Sequence, residues 1–410
     1  MLPYFVVIAN IPAQPSVLLT GFERVLRARL DDAAFYWQDD RKVAFQQRLT
    51  SLERVVFQAR LGSMAEKSQR ISALSRLLAQ QIDPTLCASA AQSALYAKCD
   101  LVTGMVGEFP ELQGIMGGYY YPINPAEELA DRAIALAIRE HYQPQGAGDS
   151  LPSSTLGAIL ALADKLDTLV GYFGIDLAPT GAKDPFALRR AALGIIRILM
   201  APQAQEWRLS LRNILAYAYG LYTANQLTCS AVQAIDALMA FFYGRLSAHL
   251  KADGIEYDLI EAVQSREMDD LADVVERIHA LAQFKKQSVC PILIQANKRI
   301  VNLLEKSIGE SSTNEALHLN PTLLTEPAEQ HLYKSLSAVQ NVVAQVVAKR
   351  DYVQALQLLA GLRDPIDQFF NDILVMDPRL EIRLNRLALL REVRHSFGLV
   401  ADISRLTQPD

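Results

Sequence analysis

Apolar and polar residues alternate along most of this chain at the three-to-four-residue spacing of helices packed on one side. That spacing predicts helical stretches at 42–82, 84–107, 126–141 and 153–173, then a helical pair within 228–265 interrupted at "ADGIEYD". A long helical region is predicted over 267–307, and further helices over 327–348, 351–361, 365–374 and 378–404. The exception is the start: "YFVVIANI" is a run of β-branched and aromatic residues closed by Pro12, which predicts a strand over 4–10. Between the helical stretches lies "GEFPELQGIMGGYYYPINP", whose four glycines and three prolines predict a loop region with functional potential. The polar segments "QPQGAGDSLP" and "GESSTNEALHLNPT" are also expected as loops. The fold class is therefore mainly α and multidomain, with a short β segment at the N-terminus.

One stretch departs from a simple amphipathic pattern. In "PTGAKDPFALRRAALGIIRIL", residues 179–199, Thr180 and Gly181 suit a turn, Asp184 an N-cap and Pro185 a first helical position, so a helix should start near Pro185. Leu188, Ala192, Ile195 and Leu199, with Ile196 beside them, form the core stripe. Arg189, Arg190 and Arg197 fall on the other side with Phe186 and Leu193. Charged faces usually serve only solubility. Two large apolar residues among the arginines suggest that this face also meets another domain or an anionic partner.

Composition narrows the function classes. At 410 residues, half of them hydrophobic, the chain is long enough for two to four domains. A net charge of −5 argues against a generally basic protein that coats nucleic acid, yet permits a local basic patch. Cys87, Cys99, Cys229 and Cys290 have no metal-ligand spacing, and such sparse usage predicts free thiols. Apolar runs such as "LGAILALA" are too short to span a bilayer, and the N-terminus lacks signal-peptide features, so a cytoplasmic setting is expected. The chain has no GxxxxGK[ST] loop and no GxGxxG.

Several segments occur in an informative order: "GFERVLRARLDDAAFYWQDD", "KCDLVTGMVGEFPELQGIMGGYY", "GDSLPSSTLGAILALADKLDTLVGYFGI", "PTGAKDPFALRRAALGIIRIL", "QANKRIVNLL" and "DPIDQFFNDILVMDPRLEIRLNRLALL". Together they closely resemble the C-terminal part of the beta subunit of the two-subunit bacterial glycyl-tRNA synthetase, over about residues 3–405. The usual family member carries a long additional N-terminal portion before the segment resembling "LLPYFV". The resemblance implies four regions: 1–50 as the remnant of a preceding α/β region, 51–205 as a degenerate helical domain like the His-Asp phosphohydrolases, 206–270 as a helical connector, and 271–410 as a helical anticodon-binding domain. It also implies a division of labour. The alpha subunit makes glycyl-adenylate from glycine and ATP, while the beta subunit binds tRNA(Gly); the implied assembly is a cytoplasmic heterotetramer. This chain is then a subunit of a glycine–tRNA ligase with no catalytic residues and no cofactor of its own, and with no membrane or DNA partner. A non-catalytic tRNA-binding or scaffold relative is the alternative.

Metal chemistry is expected to be absent. Where relatives often carry a His-Asp pair after an "MG-YY"-like segment, this chain has Ile123 and Asn124, and isoleucine cannot ligate a metal. Asp164 and Asp167, three apart on one helix, read as caps or ion-pair partners with Lys165 close by. His141, in "REHYQPQ", reads as a charge or cap at a helix C-terminus.

The candidate RNA contacts lie in three places. In 281–306, Lys285, Lys286, Lys298, Arg299 and Lys306 face a single acid, Glu305. RNA recognition needs cations for phosphates beside amides for base edges, and Asn297, Lys298, Arg299 and Asn302 offer both within about two helical turns. Arg189 and Arg190 are the second candidate. Farther on, Arg379, Arg383, Arg386, Arg391 and Arg394 share an arc with Leu384, Leu387 and Leu390, and some of these arginines are candidate buried partners of Asp364, Asp367 or Glu381. Near the start, Arg24, Arg27 and Arg29 either line an RNA path or neutralise Glu23, Asp31 and Asp32.

Overall fold

Segment 156–174 is apolar apart from a few positions, and a helix of that composition has to lie inside a bundle. The computed structural model describes residues 4–12, 14–180, 184–223, 225–265, 269–310 and 318–407, and places 156–174 at the centre of one of two compact units. The first unit comprises residues up to 198 with 213–238, and the second comprises 199–212 with the chain from 239 onward. The expected connector, 206–270, thus contributes to both.

The first unit opens with α1 (Pro15–Asp40) and α2 (Arg48–Ser51), followed by a hairpin of β1 (Val56–Gln58) and β2 (Gly62–Ser63). Gly62 turns the hairpin at φ +89°, a conformation costly for other residues. Helices α3 (Met64–Ile82), α4 (Cys87–Tyr96), α5 (Gly104–Glu108), α6 (Ile115–Tyr120), α7 (Glu128–Glu140), α8 (Thr155–Gly174) and α9 (Leu188–Leu199) follow. Ser63 starts α3 with a capping box, its hydroxyl accepting from Glu66 N while the Glu66 carboxylate accepts from Ser63 N. Helices α3, α4 and α7 pack around α8, which is buried on nearly every side. The second half of α1 packs Ala33, Tyr36 and Trp37 on Met105, Val106 and Met116.

Helices α10 (Leu211–Gly220) and α11 (Ala231–Ala252) come next in the chain. The second unit continues with α12 (Tyr257–Gln264), α13 (Leu271–Lys285), α14 (Cys290–Glu310), α15 (Pro327–Ala348), α16 (Tyr352–Ala360), α17 (Arg363–Asp372) and α18 (Leu380–Gly398). Its core joins Ile278, Leu281, Phe284, Ile294 and Ile300 from α13 and α14 with Leu332, Leu336, Phe369, Leu387 and Phe397 from α15, α17 and α18.

Several expectations need correction. Residues 4–10 form no strand: they are exposed, and no described strand pairs with them, which a β segment requires. The stretch 42–82 is not continuous helix, because the hairpin interrupts it at Val56–Ser63. The region 267–307 breaks at 286–289, where Pro291 supplies the first turn of a new helix. The loop "GEFPELQGIMGGYYYPINP" contains the short helix α6. Gly181 and half of "GESSTNEALHLNPT" lie outside the described residues.

Candidate functional site

In the second unit, α14 turns Leu293, Ile294, Ile300 and Leu304 into the core. The same 3.6-residue period leaves Gln295, Lys298, Arg299, Asn302 and Lys306 exposed on one stripe. The Arg299 guanidinium lies 4.1 Å from the ring centroid of Phe370 on α17, so an aromatic face holds this cation in place. Lys286 is exposed in the turn after α13.

Two other expected members of the patch face inward. Lys285 is buried, with Nζ 2.7 Å from both Glu256 Oε2 and Asp258 Oδ2 and 3.4 Å from Thr407 Oγ1. Burial pushes its pKa down, but the hydrogen bonds to Asp258 and Glu256 outweigh burial and leave it raised. Its charge is spent on holding the 407 segment against α12. Asn297 is 3% exposed, and its Nδ2 donates to Leu293 O at 3.0 Å on its own helix. Helical spacing alone could not separate Asn297 from Asn302; the width of the buried stripe decides it. Neither Lys285 nor Asn297 is placed to meet RNA.

The arginines of α18 are also structural in part. Arg386 is buried, donating to Glu329 Oε1 at 2.5 Å, Asp377 Oδ2 at 3.1 Å and Leu374 O at 2.8 Å. The acids named from sequence, Asp364 and Asp367, instead meet Arg363. Arg29 on α1 pairs with Glu108 and lies 4.5 Å above the Phe109 ring, rather than pairing with its sequence neighbours.

In the first unit, α9 starts at Leu188, three residues later than Pro185. Residues 185 and 186 turn, Ala187 adopts φ +56°, and the Asp184 carboxylate accepts from Leu188 N at 2.8 Å and Arg189 N at 2.9 Å. The cap is the one expected, but the turn sits inside it. Leu188, Ala192, Ile195, Ile196 and Leu199 are buried as the stripe requires. On the other face Phe186 packs on Tyr172 at 4.4 Å, and Arg197 donates to Gly146 O and Asp149 O, both at 2.8 Å. That face therefore meets a loop of its own unit. Arg190 is exposed and Arg189 half-buried.

Around Asp164 and Asp167 of α8 lies a buried charged network that sequence reading found only in part. Lys98 Nζ stands 2.8 Å from His141 Nε2 and 3.1 Å from Asp164 Oδ2. Lys67 Nζ stands 3.2 Å from Asp164 Oδ1 and 3.0 Å from Asp167 Oδ2, and Arg70 Nε donates to Asp167 Oδ1 at 2.7 Å. Tyr222 donates to the same Asp167 oxygen at 3.1 Å. Burial pushes the Asp164 pKa up, but Lys67 and Lys98 outweigh it and hold the carboxylate ionised. Two ammonium groups thus sit against this buried carboxylate pair, and one of them, Lys98, also meets the imidazole. Ile123 and Asn124 take no part; Asn124 N donates to Asp131 at 2.7 Å in an exposed loop.

His141 caps the C-terminus of α7, as one of the two expected readings has it, but it carries no charge there. It is fully buried, burial lowers its pKa to about 3, and its Nδ1–H donates to Ile138 O at 2.6 Å while Nε2 accepts from Lys98. Lys165 adds a charge just beyond this helix end, donating to the carbonyls of Tyr142 and Gln143 at 3.0 Å. Lysines and an arginine at otherwise buried helical positions were the available signal for Lys67, Arg70 and Lys98.

The family model for the glycyl-tRNA synthetase beta subunit matches residues 1–265. The chain belongs to that family. A second model, the DALR anticodon binding domain, matches residues 293–403. Among the beta-subunit relatives, the glycine–tRNA ligase beta subunit of Magnetococcus marinus is 50% identical over 405 residues, 98% of this chain. Those of Shewanella baltica and Trichlorobacter lovleyi are 42% and 41% identical over 407 residues, 99% of this chain. The chain spans 57% of the length of each of these relatives. In this beta-subunit member, Arg189, Arg190 and the buried network fall in the first match, and Lys298, Arg299 and Asn302 in the second; Lys286 lies between the two. Among the described residues, no three His, Cys, Asp or Glu side chains form a metal-holding group, and no helix is long and apolar enough to cross a membrane.

Proposed function

We propose that this chain is the tRNA-binding part of a glycine–tRNA ligase beta subunit, positioning tRNA(Gly) for an alpha subunit that spends ATP on glycylation in the cytoplasm. The observation that carries this reading is the exposed α14 stripe of Lys298, Arg299 and Asn302, inside the segment that matches an anticodon-binding domain. Cations spaced along a helix suit the phosphates of an RNA loop, and an exposed amide beside them suits an unstacked base edge. Lys286, Arg190 and Arg189 are retained as secondary contacts. The network around Asp164 supports reading the first unit's helical domain as a phosphohydrolase-like scaffold whose cation site has been filled by lysines.

The test is binding of tRNA(Gly) and of a non-cognate tRNA at several salt concentrations. The K298A/R299A double variant is expected to bind both tRNAs more weakly, with a salt slope lower by roughly 0.7–0.9 for each phosphate that is no longer neutralised. Asn302→Ala is expected to narrow the difference between the two tRNAs with little change in slope. Unchanged affinity and slope in the double variant, with helical content preserved, would move the RNA contact away from α14.

A further inference from the structure

The motif "QGIMGGYYYPINP" has no part in the α14 surface, and the structure gives it a task. Asp100, fully buried, accepts through Oδ2 from Gly114 N at 2.5 Å and Gly117 N at 3.0 Å. Gly114 adopts φ +80° to make this approach. A fixed carboxylate therefore sets the start of α6, and α6 delivers three successive tyrosines. Successive helical positions differ by about 100°, so the three rings cannot share one environment.

Each ring has a different fate. Tyr121 is buried, its hydroxyl donating to Asp131 and accepting from Gln92 Nε2 at 2.7 Å. Tyr120 is half-buried; its hydroxyl donates to Asp40 Oδ2 at 3.0 Å, and its ring stacks on Trp37 at 5.3 Å with 20° between planes. Tyr119 is 58% exposed, with the Arg139 guanidinium 5.5 Å from its ring centroid. Between these tyrosines and the segment 40–48 lies a cleft of about 380 Å³, whose wall includes Arg41, Phe45 and Gln46. That volume falls in the range of small-ligand clefts.

The charge in the cleft is one-sided. Asp40 is its one acid, and its oxygens already accept from Gly104 N at 2.8 Å, Met105 N at 2.9 Å, the Tyr120 hydroxyl and Arg48. Arg48 is itself engaged with Asp40 O and Val102 O. Arg41 stays exposed, its guanidinium 5.1 Å above the Trp37 ring. The cleft thus offers an accessible aromatic face, an exposed amide and a cation, with its acid saturated. An apolar peptide would waste the cation and the amide, whereas a nucleotide uses all three: base on ring, base edge on amide, phosphate on guanidinium.

We propose that this cleft receives one unstacked nucleotide of a bound RNA, its base against Tyr119 and its phosphate at Arg41. The proposal rests on the RNA-binding reading above and adds a second, separate contact in the first unit. Because Tyr119 and Arg41 are exposed, their replacement is expected to leave helical content and thermal midpoint unchanged.

The experiment measures binding of four-nucleotide single-stranded oligoribonucleotides, AMP and tRNA(Gly) to the full chain and its variants. Tyr119→Ala is expected to weaken oligonucleotide binding about tenfold, while Tyr119→Phe, which keeps the stacking face, binds like the parent. Arg41→Ala is expected to weaken binding and to lower the salt slope by about 0.7, one phosphate on a single strand. Trp37, stacked on Tyr120, should report occupancy by fluorescence quenching that Tyr119→Ala abolishes. Oligonucleotide binding untouched by Tyr119→Ala and Arg41→Ala, in a chain whose tRNA binding still responds to K298A/R299A, would overturn the cleft while leaving the α14 reading intact. AMP binding as tight as the oligonucleotide would overturn it in favour of a free-nucleotide site. Failure of the parent chain to bind any RNA would overturn the reading on which the cleft rests.

Discussion

Asp100 and His141 are buried in the same unit and titrate in opposite senses. Burial raises the Asp100 carboxyl from 3.8 to about 6, against the hydrogen bonds from Gly114 and Gly117, so the folded chain holds a proton there that the unfolded chain has released. Its contribution is greatest below pH 3.8 and is lost as pH rises through 6. His141 falls from 6.5 to about 3, so its contribution is present above pH 6.5 and is lost as pH falls toward 3. Between pH 4 and 6 the two slopes oppose each other. Relative to Asp100→Asn, the parent should gain stability on acidification across that window, by up to about 1.4 kcal/mol per pH unit. Relative to His141→Gln it should lose stability at a similar rate. Denaturant unfolding at half-unit pH steps checks both, and difference curves of the same sign would refute the assignment. The asparagine also offers an Nδ2 donor where Asp100 Oδ1 is buried without a partner. Sequence reading left Asp164 and Asp167 as caps or ion-pair partners and looked to Lys165 on the same helix. Helical spacing reveals neighbours along one helix, whereas Lys67 and Lys98 arrive from elsewhere in the chain.

Helices with a continuous apolar stripe and a recognisable end were readable without coordinates. The expected 327–348 coincides with α15, which opens on Pro327 at its first position, and the interruption at "ADGIEYD" separates α11 from α12. What escaped were elements whose signal lies outside themselves. The hairpin at Val56–Ser63 is too short to establish a period of two, and an extended run such as 4–10 becomes a strand only when another strand pairs with it. The start of α9 shows the same limit, because Asp184 caps across a turn that places Ala187 at φ +56°. Ala187→Gly is expected to stabilise the chain by roughly 0.5–1 kcal/mol, the left-handed strain relieved exceeding the added freedom of the unfolded glycine. Asp184→Ala is expected to cost about 1–2 kcal/mol, since two backbone donors lose their acceptor. Thermal and denaturant unfolding measure both; a destabilising Ala187→Gly would show that this turn is not strained. In α14, Asn297→Ala should lower stability and leave tRNA discrimination unchanged, because its amide is engaged inside the helix.

The division into two units matches a division of chemistry. One carries a saturated charged interior and an aromatic cleft, and the other an exposed cationic stripe within an anticodon-binding match. Hydrophobic periodicity made the helical class readable from sequence, and the order of the quoted segments made the family readable. The inward turn of Lys285 and Asn297 was not readable, because composition counts charges without saying which of them are already neutralised. Among the described residues, neither unit offers a recognisable adenylation site. The sequence lacks a triphosphate-cradling glycine loop, and Asp164 and Asp167 are engaged by Lys67, Lys98 and Arg70 rather than open to a nucleotide-bound metal. Adenylate formation places the attacking carboxylate, the triphosphate and its metal in one cleft, and that demands open cations and open acids side by side. The purified chain is therefore expected to show no glycine-dependent exchange of pyrophosphate into ATP, while still binding tRNA(Gly) in a salt-dependent manner. Adding the alpha subunit should supply exchange activity, and K298A/R299A should leave that exchange intact because it needs no RNA contact. Exchange by the chain alone, free of any alpha subunit, would overturn this expectation.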